Sequence, residues 1–160
     1  MRALPLILLV ASVASAEESR VIKFATGSAT VDSHGGTDHV VVKDTTGKVT
    51  SESSCETGTY DAYVTLFTKL KDAVAGKDRR AVLKLVAFPF RMNGPKPIVF
   101  RNEASLAKRY DTVFTPKVVE KIRKAEPAAV FCRNGEGMLG DGVIWATPSN
   151  GAAAATVTNP

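Results

Sequence analysis

One stretch restricts the fold more than any other. Tyr60, Tyr63, Val64, Phe67, Leu70 and Val74 recur at helical spacing. Thr59 offers an N-cap oxygen, Asp61 favours the positive helix end, and Gly76 is a stop signal. A helix with an apolar stripe must bury that stripe against a second layer. The rest of the chain offers short β-branched runs for that layer. On the N-terminal side these are Val21–Phe24 and His39–Lys43, the latter followed by the turn Asp44–Gly47 and a return over Lys48–Thr50. "TSESSCETG" then reads as a linker.

Beyond the long helix, Asp78 is placed to cap a second helix holding Val82, Leu83, Leu85 and Val86. Phe88-Pro89 breaks it, because proline disfavours helix at the residue before it. "MNGPKP" is a turn, and Ile98–Phe100 a strand. Asn102 can cap a third helix carrying Leu106 and Tyr110, and Thr115-Pro116 opens a fourth that runs to Lys124. Strands are expected over 129–133, 143–147 and 153–158, punctuated by "NGEG", "GDG" and "PSNG".

The first residues, MRALPLILLVASVASA, combine a basic start, an apolar run and Ala14-Ser15-Ala16. This pattern predicts an export leader over residues 1–16, cleaved after Ala16, and a periplasmic or secreted protein. The apolar run is shorter than the roughly 20 residues a membrane span requires. Cys55 and Cys132 both follow that cut. In an oxidising compartment they either pair or remain as buried thiols, and the sequence leaves both open.

The formal net charge of +5 is distributed unevenly. Residues 17–58 carry a net −3, residues 59–126 a net +8, and the tail from Pro127 a net −1. The basic middle is either a solvated helical face or a contact for an anionic partner, such as an acidic envelope protein or an anionic polymer. Lys69, Lys71, Arg79, Arg80, Lys108 and Arg109 are the candidate contact residues. Nucleic acid is not expected, since the cluster lacks interleaved aromatics for base stacking. Self-association into a homodimer is compatible with the sequence.

Three segments, "LVAFPFRMNG", "YDTVFTPKVVEKI" and "GMLGDGVIWA", make residues 59–160 resemble small exported bacterial proteins of the NTF2-like (cystatin-like) class. The most specific piece pairs Tyr110-Asp111 and Phe114-Thr115-Pro116 with Met138–Trp145. The resemblance implies an α+β cone, with N-terminal helices packed on a curved antiparallel sheet, preceded by a strand-rich extension over residues 17–58. That class hosts isomerases, dehydratases, inhibitors, immunity proteins and ligand binders, so it implies no single activity.

Several features suggest chemistry. Gly135, Gly137 and Gly140 satisfy G-x-G-x-x-G. A dinucleotide site needs a helix to open at those glycines. Here the turn pair Asp141-Gly142 and the strand-forming Val143–Trp145 come next instead, so the glycines are read as turns and no cofactor is expected. "DSHGGTDH" places His34 and His39 near Asp32 and Asp38, a weak metal motif that turn chemistry explains equally. No G-x-S-x-G elbow occurs. A cavity enzyme would draw on Tyr63, Tyr110 and Asp111, with pKa values moved by burial. Trp145 is expected in the core. The expectation is an exported, non-enzymatic binding protein, an inhibitor or immunity protein acting on an envelope protein. The alternatives are a small cavity enzyme of isomerase or dehydratase type, or a cell-wall-associated module.

Overall fold

The computed structural model describes residues 18–149 and 152–160. The leader expected over residues 1–16 lies outside them. The first four described elements are all strands: β1 (Glu18–Phe24), β2 (Gly27–His34), β3 (Thr37–Asp44) and β4 (Val49–Glu56), an antiparallel meander in chain order. Alternate residues face inward, so Ala29, Val31, Val40, Val42 and Cys55 are buried on one side. The β2–β3 turn is Gly35-Gly36 with both φ positive, the conformation that matches strand twist in a two-residue hairpin. The stretch expected as a linker is β4. Its small inward residues, Ser53 and Cys55, carry little apolar signal, yet they fit where β4 meets another strand.

Helix α1 (Thr59–Ala75) comes next, as the periodicity predicts. It buries Tyr60, Tyr63, Leu66, Phe67, Leu70, Ala73 and Val74. Thr59 is not its cap. Gly58 occupies the cap position in the left-handed region, and the Thr59 hydroxyl donates backward to the Glu56 carbonyl at 2.6 Å. The Gly58 N–H donates to Asp38 Oδ2 at 3.1 Å, so a buried carboxylate on β3 fixes the entry of the helix.

The remaining elements are α2 (Arg79–Lys84), β5 (Val86–Met92), β6 (Ile98–Phe100), α3 (Glu103–Ala107), α4 (Tyr110–Val113), α5 (Pro116–Lys124), a 3-10 turn (Pro127–Ala129), β7 (Phe131–Arg133), β8 (Glu136–Leu139), β9 (Ile144–Ser149) and β10 (Ala152–Thr158). Asp78, Asn102 and Thr115 cap α2, α3 and α5 as expected, accepting from the N–H groups of Ala81, Ser105 and Val118. The helix expected from Asn102 through Tyr110 divides into α3 and α4.

The second sheet has the order β6-β5-β10-β9-β8-β7, with β5 and β10 parallel and the other neighbours antiparallel. Its inner face carries Phe90, Phe100, Leu139, Ile144, Ala146 and Ala155. Helix α1 packs against β10, α2, α5 and the 3-10 turn, and touches β4, β8 and β9, so one helix covers strands of both sheets. Strand β7 lies alongside β4, where Cys55 and Cys132 form a disulfide with their Cα atoms 5.2 Å apart. The Cys132 N–H also donates to Ser53 Oγ at 3.1 Å.

The chain is α+β, but it is not an NTF2-like cone. Among the described residues the strands form two sheets, one of four strands and one of six, and the second contains a parallel pair. A cone with N-terminal helices on one curved antiparallel sheet does not accommodate this arrangement.

Candidate functional site

Of the candidate catalytic side chains, Tyr63 and Tyr110 are built into the core. Tyr60 and Tyr63 lie one turn apart on α1, fully buried, and each hydroxyl donates to a main-chain carbonyl: Tyr60 to Ala128 at 2.9 Å, Tyr63 to Gly135 at 2.7 Å. Burial pushes both phenols up to about 12. Tyr63 also explains a glycine. A Cβ on Gly137 would stand 2.6 Å from the Tyr63 ring, so β8 passes over that ring only without a side chain. Tyr110 stacks on Phe114 with centroids 4.8 Å apart, and burial raises its phenol as well. Asp111 points outward, 73% exposed, and accepts from Arg79 at 2.6 Å. Tyr63, Tyr110 and Asp111 therefore do not converge on an enclosed space.

The glycine run is turn chemistry except at Gly137, which lies within β8. Asn134 and Gly135 both have positive φ and form the two-residue link between β7 and β8, with Arg133 opposite Glu136. Gly140, Asp141 and Gly142 are all left-handed and lead into β9. No helix opens there. His39 lies on β3 opposite Asp32, with Nε2 3.3 Å from Glu52 Oε1, while Asp38 turns inward to accept from Ser33 Oγ at 2.7 Å. His34 ends β2 and is exposed. Among the described residues no three His, Cys, Asp or Glu side chains are placed to hold one metal ion.

The basic residues separate into three places. Arg79 and Arg80 open α2, and Lys108 and Arg109 come after α3, which packs against α2; all four are exposed. Arg79 lies over the Tyr110 ring at 4.8 Å, a cation–π contact that holds its guanidinium in place. Lys71 is half-buried and donates to the Ala125 carbonyl at 2.8 Å, neutralising the negative end of α5 from within the molecule. Lys69 emerges on the other side of α1, at a trough of about 480 Å³ walled by Leu66, Leu85, Ala153 and Ala154. Lys84, the last residue of α2, lines the same trough. Sequence reading missed Lys84, because only the packing of α2 beside α1 brings it near Lys69.

Trp145 corrects a second expectation. Ile144 and Ala146 face the core, and Trp145 faces outward, half-buried. The pairing places Phe131, Met138, Trp145 and Val157 opposite one another on successive strands β7, β8, β9 and β10. This half-buried row lies on the sheet face away from the core.

Among the described residues no helix is long and apolar enough to cross a membrane. No family model, no curated protein and no solved structure matches the chain.

Proposed function

We propose that the protein is an exported, non-enzymatic binding protein whose partner is an acidic envelope protein or an anionic polymer. The observation that carries this reading is the grouping of exposed cations Arg79, Arg80, Lys108 and Arg109 on α2 and the end of α3; Lys69 and Lys84 line a separate trough beside α1. The acidic groups at this surface are Asp111, committed to Arg79, Asp78, which caps α2, and exposed Glu103 in the first turn of α3; Asp61 at the trough pairs with Arg20. A field of one sign accelerates and orients the approach of an oppositely charged partner. The Cys55–Cys132 bridge supports export, since structural disulfides persist in oxidising compartments. Against a cavity enzyme stands the use of the Tyr60 and Tyr63 hydroxyls as hydrogen-bond donors to main-chain carbonyls.

The test is capture from an envelope extract by the wild-type protein and by an Arg80→Glu, Lys108→Glu, Arg109→Glu variant, at low and high salt. Binding lost in the variant and weakened by salt supports the reading. A partner held equally by both proteins removes the basic face from the contact.

A further inference from the structure

The two sheets end in four strands, and three of these ends are closed or short. β4 and β7 lie side by side, joined by the disulfide. β6 has three residues. β1 is different. It has seven residues, pairs with β2 at every position without a bulge, and contains no proline. Among the described residues no strand pairs along its other side. An edge of that length and regularity presents a row of main-chain donors and acceptors, which proteins normally blunt.

We propose that β1 pairs antiparallel with β1 of a second copy about a two-fold axis at Val21, joining the two meanders into one continuous sheet. Val21 is the midpoint of Glu18–Phe24, so this register uses the full strand. It sets Val21 against Val21, Ser19 against Lys23, Arg20 against Ile22, and Glu18 against Phe24. Directly opposed residues share a face, and the register keeps each face intact. On the outer face Val21, 60% exposed, gains an apolar neighbour. Lys23 meets a serine, so the exposed cation of that face meets no other cation. On the inner face Ile22 and Phe24, only half-buried in one copy, are covered by the added strand. Shifting the axis by one residue toward the N-terminus would oppose Arg20 to Arg20. Arg20 itself is matched within each copy by Asp61, 2.7 Å from Nη2, so its charge does not block the approach. A single strand pair is a small interface, which places the dimer in the transient class. The proposal is independent of what the basic face binds.

Sedimentation of the purified protein over a roughly hundredfold concentration range tests the association. A monomer–dimer equilibrium is expected, and Val21→Arg, which opposes two cations at the axis, should abolish it. Cysteine cross-linking tests the register. Opposed Cα atoms lie about 4.5–5.5 Å apart in such a pair, within reach of a disulfide, so Val21→Cys should give a covalent dimer under mild oxidation. Ser19→Cys and Lys23→Cys, on the same exposed face, would each lie more than about 13 Å from their mates and should not. A wild type that stays monomeric throughout, or three cysteine variants that cross-link at equal rates, overturns the proposal.

Discussion

Removing the disulfide should cost the protein a large part of its stability. Cys55 and Cys132 are 77 residues apart, so the bridge closes a long loop in the unfolded chain. The chain-entropy argument gives about 4.5 kcal/mol for a loop of that length at room temperature. Both side chains are buried, at 2% and 5% exposure, so replacing them with alanine leaves a small void and adds to the loss. The native contact they tie is narrow. Besides the bridge, the hydrogen bond from Cys132 N–H to Ser53 Oγ is what links β7 to β4 there. A domain of this size has a total stability of about 5–15 kcal/mol, so the loss is a substantial fraction. The assay is equilibrium urea unfolding of the oxidised protein, the protein in reductant, and the Cys55→Ala, Cys132→Ala variant. With a slope of about 2 kcal/mol per molar, the midpoint should fall by roughly 2 M. Amide exchange should accelerate first in the four-stranded meander, which the bridge anchors to the second sheet. A change below about 1 kcal/mol in both reduced forms would refute the reasoning, because it would mean that the two sheets hold together without the closed loop.

Further outcomes rest on single contacts. Gly137→Ala should destabilise by about 1–3 kcal/mol, because the new methyl overlaps the Tyr63 ring; Gly135→Ala should cost about 1 kcal/mol from its positive φ alone, with no clash. Thermal melts of the pair distinguish crowding from backbone strain. The two phenols near 12, against an ordinary 10, make stability depend on alkaline pH. The fold favours their neutral form, so the contribution is fully present below pH 10 and is lost as pH rises through 12. Tyr60→Phe should lower stability at neutral pH by about 1 kcal/mol, by leaving the Ala128 carbonyl without its donor, and should flatten the alkaline decline in urea midpoints. Trp145, the sole tryptophan, should be partly quenched by acrylamide in the native protein, and a blue-shifted, unquenchable emission would place it in the core instead.

Local signals were legible where one residue's chemistry settles one feature. The Asp78, Asn102 and Thr115 caps could be read directly, because a side-chain oxygen before a helical run has a specific use at that position. Asn134-Gly135 and Gly140–Gly142 could be read as turns, because the residues after Gly142, Val143 to Trp145, favour strand over helix. The meander was only half legible. β2 and β4 are built largely from small and polar residues, and their inward positions are small because they face close neighbours. A stretch such as "VTSESSCE" therefore shows no alternation of large apolar residues, and it reads as a linker until β3 is seen to pair with it. Trp145 was misplaced because a large aromatic is expected in the core, whereas the strand alternation of β9 turns Ile144 and Ala146 inward and Trp145 outward.

The sequence by itself determined the long helix with its buried stripe, the caps of α2, α3 and α5, and the turns. Each depends on residues within a few positions of one another. Tertiary structure alone decided the pairing of β5 with β10 in parallel, the closure of β4 against β7 by the disulfide, and the meeting of Lys69 with Lys84 beside α1. These unite segments far apart in the chain, and the free energy that selects them comes from packing both sheets against one helix, a term no local pattern contains. The open edge of β1 belongs to the same category: its residues are ordinary, and among the described residues only the strand order leaves one side of them without a paired strand.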